Sequence, residues 1–290
     1  MRRVAPPKEE IPLPLFGYGT LADRLIAFVG EEYNPSMFDL SRLVPEAKPI
    51  VAAATTIYLQ HTHPWFIGLL IHGSALKGGL IPGCSDIDFQ LFLDDTAFLV
   101  PGQLPLEVCL RIYQDLSQVD PAPFRYIQCN VLSSLLPEGY IGPIPGAYHL
   151  LVGTLPVAEA TRQQLRDSAR KRLAMLDPVP RYMVGSLLEH GGERLAGNIR
   201  WLCTDVWPTL YQVLTLQGHD AFRVWSLPKH HAIELLSPDT RLGQTIRTFY
   251  QVVQAYYPTE SSIKEALAVI QAGIAFLQTA KSWWNEQPRM

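Results

Sequence analysis

The stretch HGSALKGGLIPGCSDIDFQLFL, from His72 to Leu93, restricts this chain more than any other part of it. The apolar run WFIGLLIHG halts at Gly73-Ser74, a glycine-spiked loop follows, and Asp86 and Asp88 then stand one residue apart in a second apolar run. The first run reads as a buried β-strand and the second as a strand with alternating faces. Side chains on a strand alternate, so Asp86 and Asp88 share one face while Ile87 and Phe89 take the other. Two carboxylates so close repel, and each raises the other's pKa, unless a cation lies between them. Paired oxygen ligands of this kind suit Mg²⁺, which binds through one or two carboxylates together with substrate phosphates. Gly73 and Ser74 supply the matching part. They end a strand and open a helix, where free N–H groups and the helix dipole favour a phosphate, and Gly73 lets the backbone approach it closely. A Walker A loop is ruled out: Gly73 and Gly78 are correctly spaced, but Gly79 and Leu80 follow where Lys and Ser or Thr are required. D-x-D pairs also arise by chance on surface strands, and a Gly-Ser turn alone means little. Their combination between two apolar strands is what points to a polyphosphate bridged by Mg²⁺.

The pattern around this stretch predicts two domains, residues 1–155 and 156–290. In the first, Thr20 and Asp23 form a T-x-x-D start for a helix, and a second helix covers about Ala47 to Gln60. PLEVCLRIYQDL reads as a helix, FRYIQCNVL as a strand and AYHLLVG as an edge strand, so strands and helices alternate. In the second, DTRLGQTIRTFYQVVQAYY places Leu242, Ile246, Phe249 and Val253 on one helical face. SSIKEALAVIQAGIAFLQTAKSWW opens with Ser262 and Glu265 in capping-box spacing and places Ile263, Leu267, Ile270, Ile274 and Leu277 on one face. The expected fold class is α+β, an N-terminal α/β domain with a mixed sheet followed by a C-terminal helical bundle.

Charge narrows the class of partner. Residues 1–154 carry 9 Lys and Arg against 15 Asp and Glu, whereas residues 155–290 carry 15 against 12. An acidic first half argues against nucleic acid, which needs clustered Lys and Arg to neutralise phosphates, and suits bound Mg²⁺ or a cationic substrate. MRRVAPPKEEIPLPLF lacks an unbroken apolar run, and no stretch approaches about 18 uncharged apolar residues, so the expectation is a cytoplasmic protein without a membrane partner. Cys84, Cys109, Cys129 and Cys203 are widely spaced with no C-x-x-C, which predicts buried thiols rather than a zinc site or a disulfide framework.

The residues Gly73-Ser74, a loop of about ten residues and then Asp86-Ile87-Asp88-Phe89 resemble the signature of the nucleotidyltransferase superfamily related to DNA polymerase β. With a helical second half, the layout is similar to the aminoglycoside nucleotidyltransferases. The resemblance implies Mg²⁺-dependent transfer of a nucleotidyl group, usually AMP from ATP, to a hydroxyl, with pyrophosphate leaving. The acceptor would be a small hydroxylated molecule, and the similarity of layout implies an aminoglycoside-like cation as one candidate. Gly73 and Ser74 would hold the β- and γ-phosphates, and Asp86 and Asp88 would ligate the metal. WSLPKHHAIELL resembles the segment that sends a lysine into the nucleotide cleft, which makes Lys229 the matching residue. Members usually carry a third carboxylate on a later strand. Here Arg125 matches the Arg of the adenylyltransferase pattern and Gln128 falls where its Glu should be, with Asn130 on the same face. An amide can orient a hydroxyl but cannot accept its proton. Three readings stay open: a nucleotidyltransferase acting on a small acceptor, in which Asp94, Asp95 or Glu138 replaces the missing acid or the reaction tolerates two carboxylates; a catalytically impaired nucleotide-binding module; or a transferase acting on a macromolecule, such as a protein partner or an RNA end.

Other residues have weaker claims. His61 and His63 have the spacing of a two-residue metal clamp, though such a pair without a Cys or acid fits a solvated loop equally well. His72 precedes the Gly-Ser turn and either touches phosphate or satisfies a strand end. Arg162, Arg166 and Arg170 recur every four residues, as a solvated helix face or as a stripe for an anionic partner. The aromatics of RWLCTDVWPTLY read as bundle core.

Overall fold

Four apolar runs of the first half form strands β1 (Phe66–His72), β2 (Ile87–Leu93), β3 (Ile127–Leu132) and β4 (Tyr148–Gly153). They lie side by side in the order β3-β2-β1-β4. β1 runs antiparallel to β2 and β4, while β2 and β3 are parallel, so the sheet is mixed. These features come from a computed structural model that describes residues 38–100, 102–189, 192–257 and 262–287. The helix expected at Thr20 and Asp23 lies outside the described residues. The helices of this half are α1 (Lys48–Thr62), α2 (Ser74–Lys77) and α3 (Leu106–Leu116). α3 forms part of the crossover that a parallel β2–β3 pair requires.

One sheet face is mostly apolar, with buried His149 beside Ile71 as its polar exception. Leu69, Ile71, Ile87, Phe89, Leu91 and Leu93 are buried with α1 residues such as Val51 and Tyr58 and with Val108 of α3. Tyr58 meets the Phe89 ring edge-on, centroids 5.4 Å apart. The opposite face is divided along its length. Register puts His72, Asp88 and Gln128 side by side across β1, β2 and β3, with Tyr148 beyond His72 on β4. Towards the other end, Leu70, Phe92 and Leu132 pack together. For this reason the expected alternation along β2 holds through Gln90 and then stops, with Leu91, Phe92 and Leu93 all buried.

The second half is helical: α4 (Arg162–Ala174), α5 (Arg181–Ser186), α6 (Gly192–Leu216), α7 (Ala221–Ser226), α8 (Lys229–Glu234), α9 (Arg241–Tyr256) and α10 (Ile263–Glu286). Its starts follow the capping chemistry of the sequence. Thr161 and Gln164 form a capping box on α4, Thr240 accepts from the Gly243 N–H on α9, and Ser262 accepts from the Glu265 N–H on α10. Leu202, Val206, Leu210, Ile246, Phe249, Val253, Phe276 and Leu277 build the core. Leu242, Ile246, Phe249 and Val253 are all buried, on one face of α9 as their spacing predicts. The fold is thus α+β, a mixed sheet followed by a helical array.

Three expectations need correction here. On α10, Ile263 and Leu267 are exposed, and the buried face runs through Ala266, Val269, Ile270, Gly273, Phe276 and Ala280. Small residues, invisible to a search for bulky ones, let α10 approach its neighbours. A Cβ on Gly273 would meet Leu202 Cδ2 at 2.5 Å and Phe249 at 3.0 Å. Trp201 is 64% exposed, whereas Trp207 and Tyr211 from the same segment are core. Cys109 faces solvent on α3, while Cys203 is buried. α10 is long and apolar enough to cross a membrane by length and composition. Its burial against the bundle accounts for that apolarity.

Candidate nucleotide and metal site

The turn after β1 is built around Gly73, at φ +77° and ψ −153°. Side chains avoid that region of backbone space. A Cβ there would also lie 2.4 Å from Asp88 Oδ2, so glycine is required twice over. The Ser74 hydroxyl donates to the Asp86 carbonyl oxygen at 3.2 Å and fastens the turn to the start of β2. α2 is a single turn of four residues. It therefore lacks the aligned dipoles that the sequence reading assigned to a helix N-terminus, since the effect needs several turns to accumulate. Positive charge comes instead from side chains.

Lys77, at the end of α2, holds its ammonium 5.1 Å from the Tyr211 ring centroid. Burial pushes that ammonium down to about 8, with the Lys229 charge adding to the shift and Asp88 opposing it. Lys229, at the start of α8, lies over the Trp207 ring at 5.7 Å. Its field also reaches Asp86, and there it favours the ionised carboxylate. Asp86 is pushed up to about 6, first by burial and further by the Asp88 charge, against the pull of Arg200, Lys229 and Arg125. His72 is held below the ordinary imidazole range by burial, with Lys77 acting in the same direction and Asp88 against it.

Arg200, from α6, donates from Nη2 to Asp86 Oδ2 at 3.0 Å and stacks on the Tyr126 ring at 3.7 Å. Asp86 Oδ1 is buried without a partner. A buried carboxylate oxygen left unmatched is costly unless a further cation completes it. These residues fit one hard divalent cation, held by Asp86 and Asp88 together with a polyphosphate that Lys77 and Lys229 would neutralise. They do not fit the second ion that a third carboxylate would complete. Among the described residues no group of three or more His, Cys, Asp or Glu side chains converges on a metal position.

Gln128 lies directly beside Asp88 in the sheet and is exposed, and Asn130 lies beside Gln90. The proposed substitutes for the missing acid are placed elsewhere. Asp94 accepts from the Thr96 N–H at 2.9 Å and its hydroxyl at 2.6 Å, and Asp95 accepts from the Ser134 N–H at 2.9 Å. Both stand six or seven residues beyond Asp88, a distance of about 20 Å at the usual strand rise. They hold turns together at the far end of β2. Glu138 is exposed in the loop after β3. Two contributors carried no assignment in the sequence reading. Lys77 had a signal, being a lysine three residues after Ser74. Arg200 had none, since it is 114 residues from Asp86 in the chain.

His72, Gly73 and Lys77 also line a cavity of about 260 Å³ that continues past Gln90, Tyr148, Gln212 and Trp225. Among the described residues, no Asp or Glu lines it. Away from this region, His61 pairs with Asp115 at 2.8 Å and forms no clamp with exposed His63. Along α4, Arg162 pairs with Asp220 and Arg170 with Asp167, all four of them exposed, as expected of a solvated face.

No family model and no curated protein matches the chain. Among solved structures it is similar to the spectinomycin adenyltransferase AAD(9) from Enterococcus faecialis, determined with ATP and spectinomycin. The identity is 13% and the TM-score 0.49, over 81% of this chain and 98% of that one.

Proposed function

We propose that the chain binds a nucleoside triphosphate with one Mg²⁺ and transfers its nucleotidyl group, AMP in the case of ATP, to a hydroxyl of a small acceptor. The observation that carries this reading is the contact between the Gly73 turn and the Asp88 carboxylate, beside an unpartnered Asp86 oxygen. Asp86 and Asp88 would hold the metal. When bound, Mg²⁺ would supply charge neutralisation at the reacting phosphoryl group. Lys77 and Lys229 would bind the β- and γ-phosphates, which then leave as pyrophosphate when the acceptor oxygen bonds to the α-phosphorus. Gln128 would orient the acceptor hydroxyl, whose proton passes to solvent, because an amide has no basic site. The cavity beside Gly73 would take the nucleoside part. Its amides and aromatic walls suit an uncharged flat group, and the absence of acids from its lining makes it a poor host for a polycation.

A second reading is supported by one specific observation, the position of Gln128 beside Asp88. In it the chain binds Mg·nucleotide without transferring it. The test is pyrophosphate release from Mg·ATP over a panel of small hydroxylated acceptors, run beside Asp88→Asn. Release that needs Asp88 supports transfer. Mg²⁺-dependent nucleotide binding with no release from any acceptor supports the second reading.

A further inference from the structure

The side of Asp86 that faces β3 combines three features. Its Oδ2 is bonded to Arg200 Nη2 at 3.0 Å. The guanidinium carbon lies over the Tyr126 ring, 3.7 Å from the centroid, and Tyr126 is two residues before Gln128. Arg200 is 27% exposed and Asp86 16%, so the pair is substantially shielded from water. A third carboxylate at position 128 would bring one more negative charge to this spot and would need one more cation. The chain has Gln128 at that position and carries a cation of its own in the vicinity.

We infer that Arg200 is the built-in counter-ion of Asp86, so that the site takes one divalent cation, and that cation competes with the guanidinium for Asp86. The inference rests on the proposed assignment of Asp86 and Asp88 as metal-holding residues. Tyr126 sets the geometry. A planar guanidinium stacks on an aromatic face, and the stack aims its N–H groups along the plane of the ring. An ammonium on a flexible stem would not be fixed in this way. Arg200 is thus a positioning residue, one that sets the charge and the coordination number of its neighbour. Asp86 Oδ1 and Arg200 Nη1 are both buried without a hydrogen-bond partner, so the pair leaves one carboxylate oxygen unmatched.

The test is direct Mn²⁺ binding to the full chain by electron paramagnetic resonance, with no nucleotide present. Arg200→Gln is expected to tighten Mn²⁺ binding about tenfold, because a charge in direct contact with the ligand is removed. Gln128→Glu alone is expected to leave the stoichiometry at a single ion, its new carboxylate pairing with Arg200. The double variant Arg200→Gln, Gln128→Glu is expected to take two. If Arg200→Gln does not fold, Tyr126→Leu removes the platform instead and is expected to tighten binding about threefold. Wild-type binding left unchanged or weakened by Arg200→Gln, or unchanged by Tyr126→Leu, overturns the inference and leaves the metal assignment standing. No Mn²⁺ bound by any variant at millimolar concentration overturns both.

Discussion

The two flanks of β2 face opposite chemical situations although they border the same pair of aspartates. On the β1 flank, Gly73 touches Asp88, Ser74 is bonded to Asp86, and Lys77 and His72 complete a buried polar cluster. Each residue there is tied to another, and a change in any one disturbs the rest. On the β3 flank, Gln128 is exposed and neutral, and Arg200 reaches in from α6 to bond Asp86. Under the proposed function, the first flank would take an anion with a divalent cation, and the second carries an amide and a guanidinium where a base would stand. One side of the strand thus holds a tied polar cluster while the other carries a different set of charges.

The largest effect should come from the residue the two flanks share. Asp88→Asn is predicted to weaken Mg·ATP binding about a hundredfold, measured by calorimetric titration. On the β1 flank, Gly73→Val forces a side chain into both the positive-φ turn and the Asp88 carboxylate, and binding should fall about thirtyfold. Dependence on pH comes next. Asp86 at about 6 must ionise to hold a metal, and Lys77 at about 8 must stay protonated to hold a phosphate. Mg·ATP affinity should therefore be bell-shaped between these values, falling about tenfold one unit outside either limb.

The unliganded fold should show the reverse slope at both limbs. Asp86 is raised above its ordinary 3.8, so its contribution to stability is largest below that value and declines as pH rises towards 6. Lys77 is lowered from 10.5, so its burial penalty is greatest below 8 and is relieved as pH climbs from 8 towards 10.5. Thermal melts across pH without nucleotide would check both signs. The smallest effect belongs to the β3 flank. Gln128→Ala, an exposed change, should alter Mg·ATP affinity by less than about twofold, and a larger loss would place Gln128 among the binding groups.

Much of the fold was legible because it depends on local pattern. The paired aspartates, the turn glycine, the four strands, the buried face of α9 and the cap of α10 all follow from spacing and turn chemistry within about a dozen residues. The parallel β2–β3 pair that puts Gln128 beside Asp88 could be anticipated from the order of elements. What escaped was set by contacts between distant segments. Arg200 meets Asp86 across most of the chain, and nothing in NIRWL marks it. The buried face of α10 is defined by alanines and Gly273, which a count of bulky residues passes over. The brevity of α2 was also hidden, because Gly78 and Gly79 both take positive φ and end the helix after one turn. With so short a helix, the site's positive charge rests chiefly on Lys77 and Lys229.

The most direct measurement is thermal unfolding of the wild-type chain and Asp88→Asn with ATP, with Mg²⁺ and with both. A ligand that binds the folded state alone must raise its apparent stability. A site formed by the Gly73 turn and the two aspartates predicts a shift with ATP and Mg²⁺ together that exceeds the shift with either alone and vanishes in Asp88→Asn. An equal shift in Asp88→Asn, or none in the wild type with any nucleoside triphosphate, would contradict it.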